Sequence, residues 1–154
     1  IIRCFDALND LRNVEVAADQ VKKEGAHLQL CMSYTLSPVH TLDTFANMAK
    51  QMQDMGADSI AIKDMAGLIG PMDCAKLVTA IKEKVDIPVE LHSHYTTGLA
   101  SMAYLSGIED FDTFNLIIIE SSFPSVASNE LLIASNIGCK YEECFFTLFF
   151  ISDS

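Results

Sequence analysis

The chain has 154 residues, half of them apolar and a fifth charged, with a formal net charge of -11. That length fits one domain with a real core, and the composition fits a soluble globular class. So acidic a surface repels phosphate backbones and excludes nucleic acid as a partner, and no apolar run reaches the roughly 18 residues of a membrane-spanning helix.

The chain opens IIRCFDALND, without an initiator Met and without the basic and apolar regions of a signal peptide. It reads as a chain entered in the middle of a strand. Residues 1–7 are short, apolar and strand-like. Residues 13–24 carry Val14, Ala17, Ala18 and Val21 at helical spacing and stop at Gly25. Residues 27–34 (HLQLCMSY) alternate in period two, as a strand does. From Thr41 to Met55, one stripe carries Leu42, Phe45, Met48, Ala49, Met52 and Met55, with Gly56 as the stop. So Met-rich a stripe is packing rather than a cofactor site. Thr41 is placed to cap that helix.

Residues 58–63 (DSIAIK) form a third strand. Pro71 opens a third helix, with Ala75, Val78, Ile81 and Val85 inward. Residues 87–94 (IPVELHSH) form a fourth strand, and Gly98 to Leu105 begin a fourth helix. Four strand–helix units in a row predict an α/β fold with a parallel sheet and right-handed crossovers. A doubly wound sheet and a barrel fit that pattern equally. After about residue 106 the pattern degrades. Leu116–Ile119 reads as one more strand, and the strongly apolar end, CFFTLFFISDS, would not be tolerated bare on a soluble surface.

The five cysteines (Cys4, Cys31, Cys74, Cys139 and Cys144) are odd in number and contain no C-x-x-C pair. Reduced thiols of a cytoplasmic protein are the expectation.

The strongest chemical signal is His92-Ser93-His94. Residues i and i+2 of a strand share a face, so two imidazoles at a strand end can share one metal ion. A pair of solvent-exposed histidines is the bland alternative; the small polar loop Tyr95-Thr96-Thr97-Gly98 that follows favours function. The second signal is Lys63-Asp64-Met65-Ala66-Gly67. Lys63 ends an apolar strand, where parallel α/β folds carry their catalytic groups. It precedes His92 by one strand–helix unit, so the two lie on neighbouring strands at the same end. A lysine ammonium is a poor metal ligand, whereas a carbamate formed from it with CO₂ presents an anionic oxygen.

The third signal is Arg3-Cys4-Phe5-Asp6. Arg3 and Phe5 share one strand face and Cys4 and Asp6 the other. An arginine there suits bidentate capture of a carboxylate, unless it is tied up in a salt bridge to Asp6 or across strands. The fourth is the polar loop from Tyr34 to Thr41, where His40 is better placed for packing or capping than for catalysis. His27 sits at the far end of its strand and carries no expected role.

Taken together, FDALND, SYTLSPVHT, IAIKDMAG and LHSHYTTGLASMAYL resemble the carboxyltransferase domain shared by the oxaloacetate decarboxylase alpha subunit, pyruvate carboxylase and transcarboxylase. The resemblance runs from about Ile1 to Glu109, in order and in register. It implies a partial (β/α)₈ TIM barrel, about strands four to seven, over residues 1–109. Residues 110–154 would then be a divergent tail, with a frame-disrupted ending as one origin.

The resemblance also implies roles. Lys63 would be a carbamylated metal ligand with a catalytic role, His92 and His94 the next metal ligands, and Arg3 the keto-acid binder. The metal would be a divalent ion such as zinc, manganese or cobalt. The resemblance implies that biotin would arrive on a separate carrier domain or subunit, and no A-M-K-M acceptor sequence occurs in these 154 residues. The expected activity is transfer of a carboxyl group between a keto acid (oxaloacetate or pyruvate) and biotin. An oligomer or a larger complex is expected, either a soluble carboxylase or a membrane sodium pump whose other subunits reach the membrane. The family's fourth ligand, an aspartate, is expected on a strand before residue 1, and a late threonine that contacts biotin or substrate is absent.

Two alternatives stand beside this reading. Acyl-lyase barrels such as hydroxymethylglutaryl-CoA lyase also use H-x-H, but they lack a metal-binding lysine on the preceding strand. An inactive fragment is the other, because a half barrel leaves open strand edges and is expected to be poorly stable or to self-associate.

Overall fold

The computed structural model describes residues 1–109, 116–120 and 133–134. In chain order these form β1 (Ile2–Phe5), a 3₁₀ turn (Leu11–Asn13), α1 (Glu15–Lys23), β2 (Leu28–Ser33), α2 (Leu42–Asp54), β3 (Ser59–Asp64), α3 (Pro71–Lys82), β4 (Val89–Ser93), α4 (Ala100–Glu109), β5 (Leu116–Glu120) and β6 (Ile133–Ala134).

The sheet runs β1-β2-β3-β4-β5-β6, with β1 to β5 parallel and β6 antiparallel to β5. Each helix connects two adjacent parallel strands. The apolar side chains of the strands (Leu28, Leu30, Met32, Ile60, Ile62, Val89 and Leu91) pack in one cluster with Phe45, Met52, Leu77, Ile81 and Tyr104 of the helices. The helices therefore cover a single face. A doubly wound sheet reverses its strand order and carries helices on both faces. The unbroken order with one covered face is a piece of a (β/α)₈ barrel, and it decides what periodicity left open.

Local chemistry explains the element ends. Thr41 caps α2 as expected, its hydroxyl accepting the Thr44 N–H at 3.2 Å. Pro71 stands at the start of α3, where a missing N–H costs nothing. Gly56 ends α2 with φ +91, a conformation strained for other residues.

Some boundaries differ from the sequence reading. The first strand stops at Phe5 rather than residue 7. The Asp6 carboxylate accepts the N–H groups of Leu8 (2.9 Å) and Asp10 (3.0 Å) and turns the chain. Asn9 then adopts φ 60 and takes over as β2's neighbour. Its side chain donates to the Ser33 carbonyl at 2.8 Å and accepts the Ser33 N–H at 2.7 Å. The helix expected over 13–24 splits into the 3₁₀ turn, capped by Asp10, and α1. Val14 and Ala18 are buried there, but Ala17 is exposed. Leu42, assigned to the buried stripe of α2, is also exposed. The fourth helix starts at Ala100 and runs on to Glu109. The strand expected near 116 is β5, whereas β6 had no counterpart in the periodicity. The remainder of the expected tail over 110–154, including Cys139, Cys144 and the apolar ending, lies outside the described residues. Among the described residues, no helix is long and apolar enough to cross a membrane.

Candidate active site

The sheet face turned away from the helices is polar. Period-two alternation sends Arg3 from β1, Gln29 and Ser33 from β2, Ser59 and Lys63 from β3, and Glu90 and His92 from β4 to this side, which in a closed barrel is the lumen. Ser33, Lys63 and His92 are ladder partners across three adjacent strands and form one row near the C-terminal strand ends. Parallel α/β barrels place their chemistry at that end.

His92 and His94 come together as the i, i+2 spacing predicts. Their ring centroids lie 5.3 Å apart, with the rings edge to face. The backbone N–H of His94 donates to the Asp64 carbonyl at 3.1 Å, which joins the end of β4 to that of β3. Burial lowers the pKa of His92 to about 4, and the charges of Arg3, His94 and Lys63 act in the same direction. At neutral pH its imidazole is therefore uncharged, the form that donates a lone pair to a metal.

Lys63 lies beside His92 in register, but its ammonium sits 3.9 Å from the centroid of the Phe5 ring. This is a cation–π contact on the neighbouring face residue of β1. The loop after Lys63 is tightly organised. The buried Asp64 carboxylate accepts the N–H groups of Leu68 (2.8 Å) and Ile69 (3.0 Å). Thr96 and Thr97 donate their hydroxyls to the carbonyls of Ala66 (2.6 Å) and Gly67 (2.7 Å).

Arg3 does not pair with Asp6. It bridges across strands to Glu90 at 2.6 Å and to Gln29 at 2.5 Å, deeper in the lumen than the His92 row. His40 plays the packing role expected of it, bonding Ser37 at 2.7 Å with its ring 5.8 Å from that of Phe45. His27 bonds Ser59 at 2.8 Å at the opposite end of the strands. Sequence reasoning passed over Gln29 and Glu90. The available signal was their strand parity: each falls on the same face as Arg3 or His92, where a buried polar side chain needs a partner.

A divalent cation fits this donor set in part. Two imidazoles, one of them held neutral by burial, supply two nitrogen ligands at a strand end, and Lys63 lies in the adjoining register position. Among the described residues, no cluster of three His, Cys, Asp or Glu side chains forms. Among the described residues, the group in the adjoining register position is Lys63, which could offer a ligand atom only in a deprotonated or carbamylated form.

Comparison with known proteins agrees with this architecture. A family model described as HMGL-like matches residues 9–113. A pyruvate carboxylase subunit of Methanocaldococcus jannaschii is 52% identical over 109 residues, which is 71% of this chain and 19% of that protein. The methylmalonyl-CoA carboxyltransferase 5S subunit of Propionibacterium freudenreichii is 44% identical over 111 residues, 71% of this chain and 22% of that protein. The carboxyl transferase domain of Rhizobium etli pyruvate carboxylase, solved with pyruvate and biocytin, superposes with a TM-score of 0.71 at 29% identity, covering 79% of this chain and 21% of that one. The chain thus spans about a fifth of the length of these relatives. With residues 9–113 of its 154 matched by the family model, and with carboxylase and carboxyltransferase subunits as its relatives, the chain belongs to the HMGL-like family.

Proposed function

We propose that this chain forms one side of a metal-dependent carboxyltransferase centre that moves a carboxyl group between a keto acid, pyruvate or oxaloacetate, and biotin. The observation that carries the reading is the pairing of the His92 and His94 rings at the end of β4, with Lys63 in the adjoining register position of β3 and Arg3 deeper in the lumen. His92, His94 and a carbamylated Lys63 are the proposed metal ligands. Bound there, zinc, manganese or cobalt would polarise the keto oxygen and stabilise the negative charge that develops when the carboxyl group departs.

The protein groups do the rest. Arg3 holds the carboxylate of the keto acid by charge-assisted hydrogen bonds and fixes its orientation. The bonds from Thr96 and Thr97 to the loop after Lys63 hold the two ligand-bearing strand ends at one spacing. Biotin is assigned to a carrier domain or subunit outside this chain, and the working unit to a larger cytoplasmic carboxylase complex. Among the described residues, Cys4, Cys31 and Cys74 are free thiols. Residues 1–109 are taken as the barrel portion and 110–154 as a divergent tail, with β5 extending the sheet past that boundary.

The test is metal content and affinity of the purified chain, beside Lys63→Ala and His92→Ala. Stoichiometric divalent metal that is lost in both variants supports the reading. Absence of bound metal in the wild-type chain would mean that it carries the family's residues without assembling the site. An acyl-lyase built on the same H-x-H strand is the second reading, supported by the shared histidine pair. Cleavage that depends on an acyl-CoA and is indifferent to biotin would select it.

A further inference from the structure

Among the described residues, Gln29 and Glu90 are the most deeply buried polar residues of the lumenal face, each 2% exposed as a whole residue. Burial of an amide and a carboxylate is costly unless every polar atom finds a partner. Here they do so through a ring of three residues. The Arg3 Nε–H donates to Gln29 Oε1 at 2.5 Å, Arg3 Nη2 donates to Glu90 Oε1 at 2.6 Å, and Gln29 Nε2 donates to Glu90 Oε2 at 2.7 Å. Gln29 Nε2 also reaches Ser59 Oγ at 3.3 Å, and Ser59 in turn bonds His27. This fixes which way the Gln29 amide faces.

The ring joins β1, β2 and β4, so Glu90 must cross over β3. It can do so because the β3 residues at those levels, Ser59 and Ala61, are small. An ordinary arginine–carboxylate pair uses both carboxylate oxygens on the guanidinium. In this ring Glu90 gives one oxygen to Arg3 and turns the other to Gln29, and Gln29 supplies the missing acceptor. One edge of the guanidinium, Nε with Nη2, is thereby saturated. The edge carrying Nη1 makes no hydrogen bond among the described residues, and the Arg3 side chain stays 33% exposed while that of Glu90 is 3% exposed.

We propose that Gln29 and Glu90 are positioning residues that clamp the Nε edge of Arg3, so that its Nη1 edge is presented to the carboxylate of the keto acid. The inference rests on the carboxyltransferase reading, in which Arg3 is the keto-acid binder. The clamp removes the rotational freedom of a long side chain before substrate arrives. Because the Arg3 charge is already matched by Glu90, the substrate carboxylate is selected by geometry more than by net charge.

The ring has a symmetry that makes it testable. Exchanging the two side chains, Gln29→Glu with Glu90→Gln, preserves every bond type within the ring: a carboxylate oxygen and an amide oxygen still face Arg3, and the amide still donates to the carboxylate, while the Ser59 hydroxyl donates to position 29 instead of accepting from it. Either change alone breaks the pattern. Glu90→Gln sets an amide donor against a donor, and Gln29→Glu sets two carboxylates face to face. The experiment titrates pyruvate into the wild-type chain, both single variants, the double exchange and Arg3→Ala, reading saturation transfer to the pyruvate methyl group. In the same samples the arginine Nε–H resonances are followed by ¹⁵N NMR; the chain has two arginines, Arg3 and Arg12, so two signals report. The expected result is a slowly exchanging Arg3 Nε–H in the wild type and in the double exchange. Pyruvate affinity should fall at least about tenfold in each single variant and return to within about threefold in the exchange.

Single variants that bind pyruvate as the wild type does would overturn the proposal. So would a double exchange that regains Nε–H protection without regaining affinity. Arg3→Ala separates the two levels. If it loses pyruvate while the single variants keep it, the clamp fails and the substrate role of Arg3 stands. If it binds pyruvate normally, or if the wild type binds none, the carboxylate-capture role fails and the positioning proposal fails with it.

Discussion

Thr96 and Gly67 meet across the two loops that follow the strands bearing the candidate metal ligands. The Thr96 hydroxyl donates to the Ala66 carbonyl at 2.6 Å, and a Cβ placed on Gly67 would lie 2.5 Å from that hydroxyl. Gly67 also holds φ +66. The close approach of the β3 and β4 loops therefore depends on a glycine at this position.

Gly67→Ala is predicted to destabilise the chain by roughly 2–4 kcal/mol, combining left-handed backbone strain with a clash against Thr96 and the Thr97 backbone. It should also weaken divalent-metal binding, since the loops must part. Urea denaturation and a metal titration measure the two effects. An unchanged metal affinity would show that loop spacing does not govern the site.

Asp64→Ala removes the acceptor for two backbone N–H groups, those of Leu68 and Ile69. Leaving both unsatisfied, one of them buried and one half-buried, is predicted to cost about 2–4 kcal/mol. Asp64→Asn keeps one acceptor oxygen and should recover part of the loss. Equal midpoints for the wild type and Asp64→Ala in chemical denaturation would contradict this account.

Phe45 is 2% exposed and stacks on Tyr34 with ring centroids 5.4 Å apart. Phe45→Ala should cost about 3–5 kcal/mol through lost burial and an unfilled cavity. Thr41→Ala, four residues earlier, removes only the α2 cap and should cost about 1 kcal/mol. The ratio of the two, read by thermal melts, tests whether this part of the domain is held by core packing rather than by helix propensity.

Burial pushes the thiols of Cys31 and Cys74 up to about 12. A group whose folded pKa is raised contributes stability that is present at neutral pH. That contribution is lost as pH climbs from about 9, where the unfolded thiol ionises, toward 12. Stability of the wild-type chain should fall over that window, and less steeply in Cys74→Ala. Iodoacetamide at pH 8 should label Cys4, which is half-buried, before Cys31 or Cys74, and label all three once urea is added. Rapid native labelling of Cys74 would refute the buried-thiol picture.

The sequence by itself determined the elements and which candidate side chains each one carries. Period-two spacing put His92 and His94 on one face, the strand–helix repeat put Lys63 one unit earlier, and Thr41, Gly56 and Pro71 marked helix ends. All of these are local consequences of backbone geometry, so a few residues suffice to express them. Other features needed the tertiary structure. Periodicity could not separate a barrel from a doubly wound sheet, because both use the same repeat; the unbroken strand order with helices on one face separates them. Of the two expectations for Arg3, free for substrate or tied up in an ion pair, the structure shows the cross-strand ion pair, with the Nη1 edge making no hydrogen bond among the described residues. Its partner Glu90 lies 87 residues away, on a strand two positions beyond its neighbour in the sheet. Which side chains meet across a sheet is set by strand order and register, and those come from burial of the whole apolar face rather than from any one segment. The cap of β1 by Asn9 has the same origin: its side chain finds Ser33 only after β1 and β2 have paired.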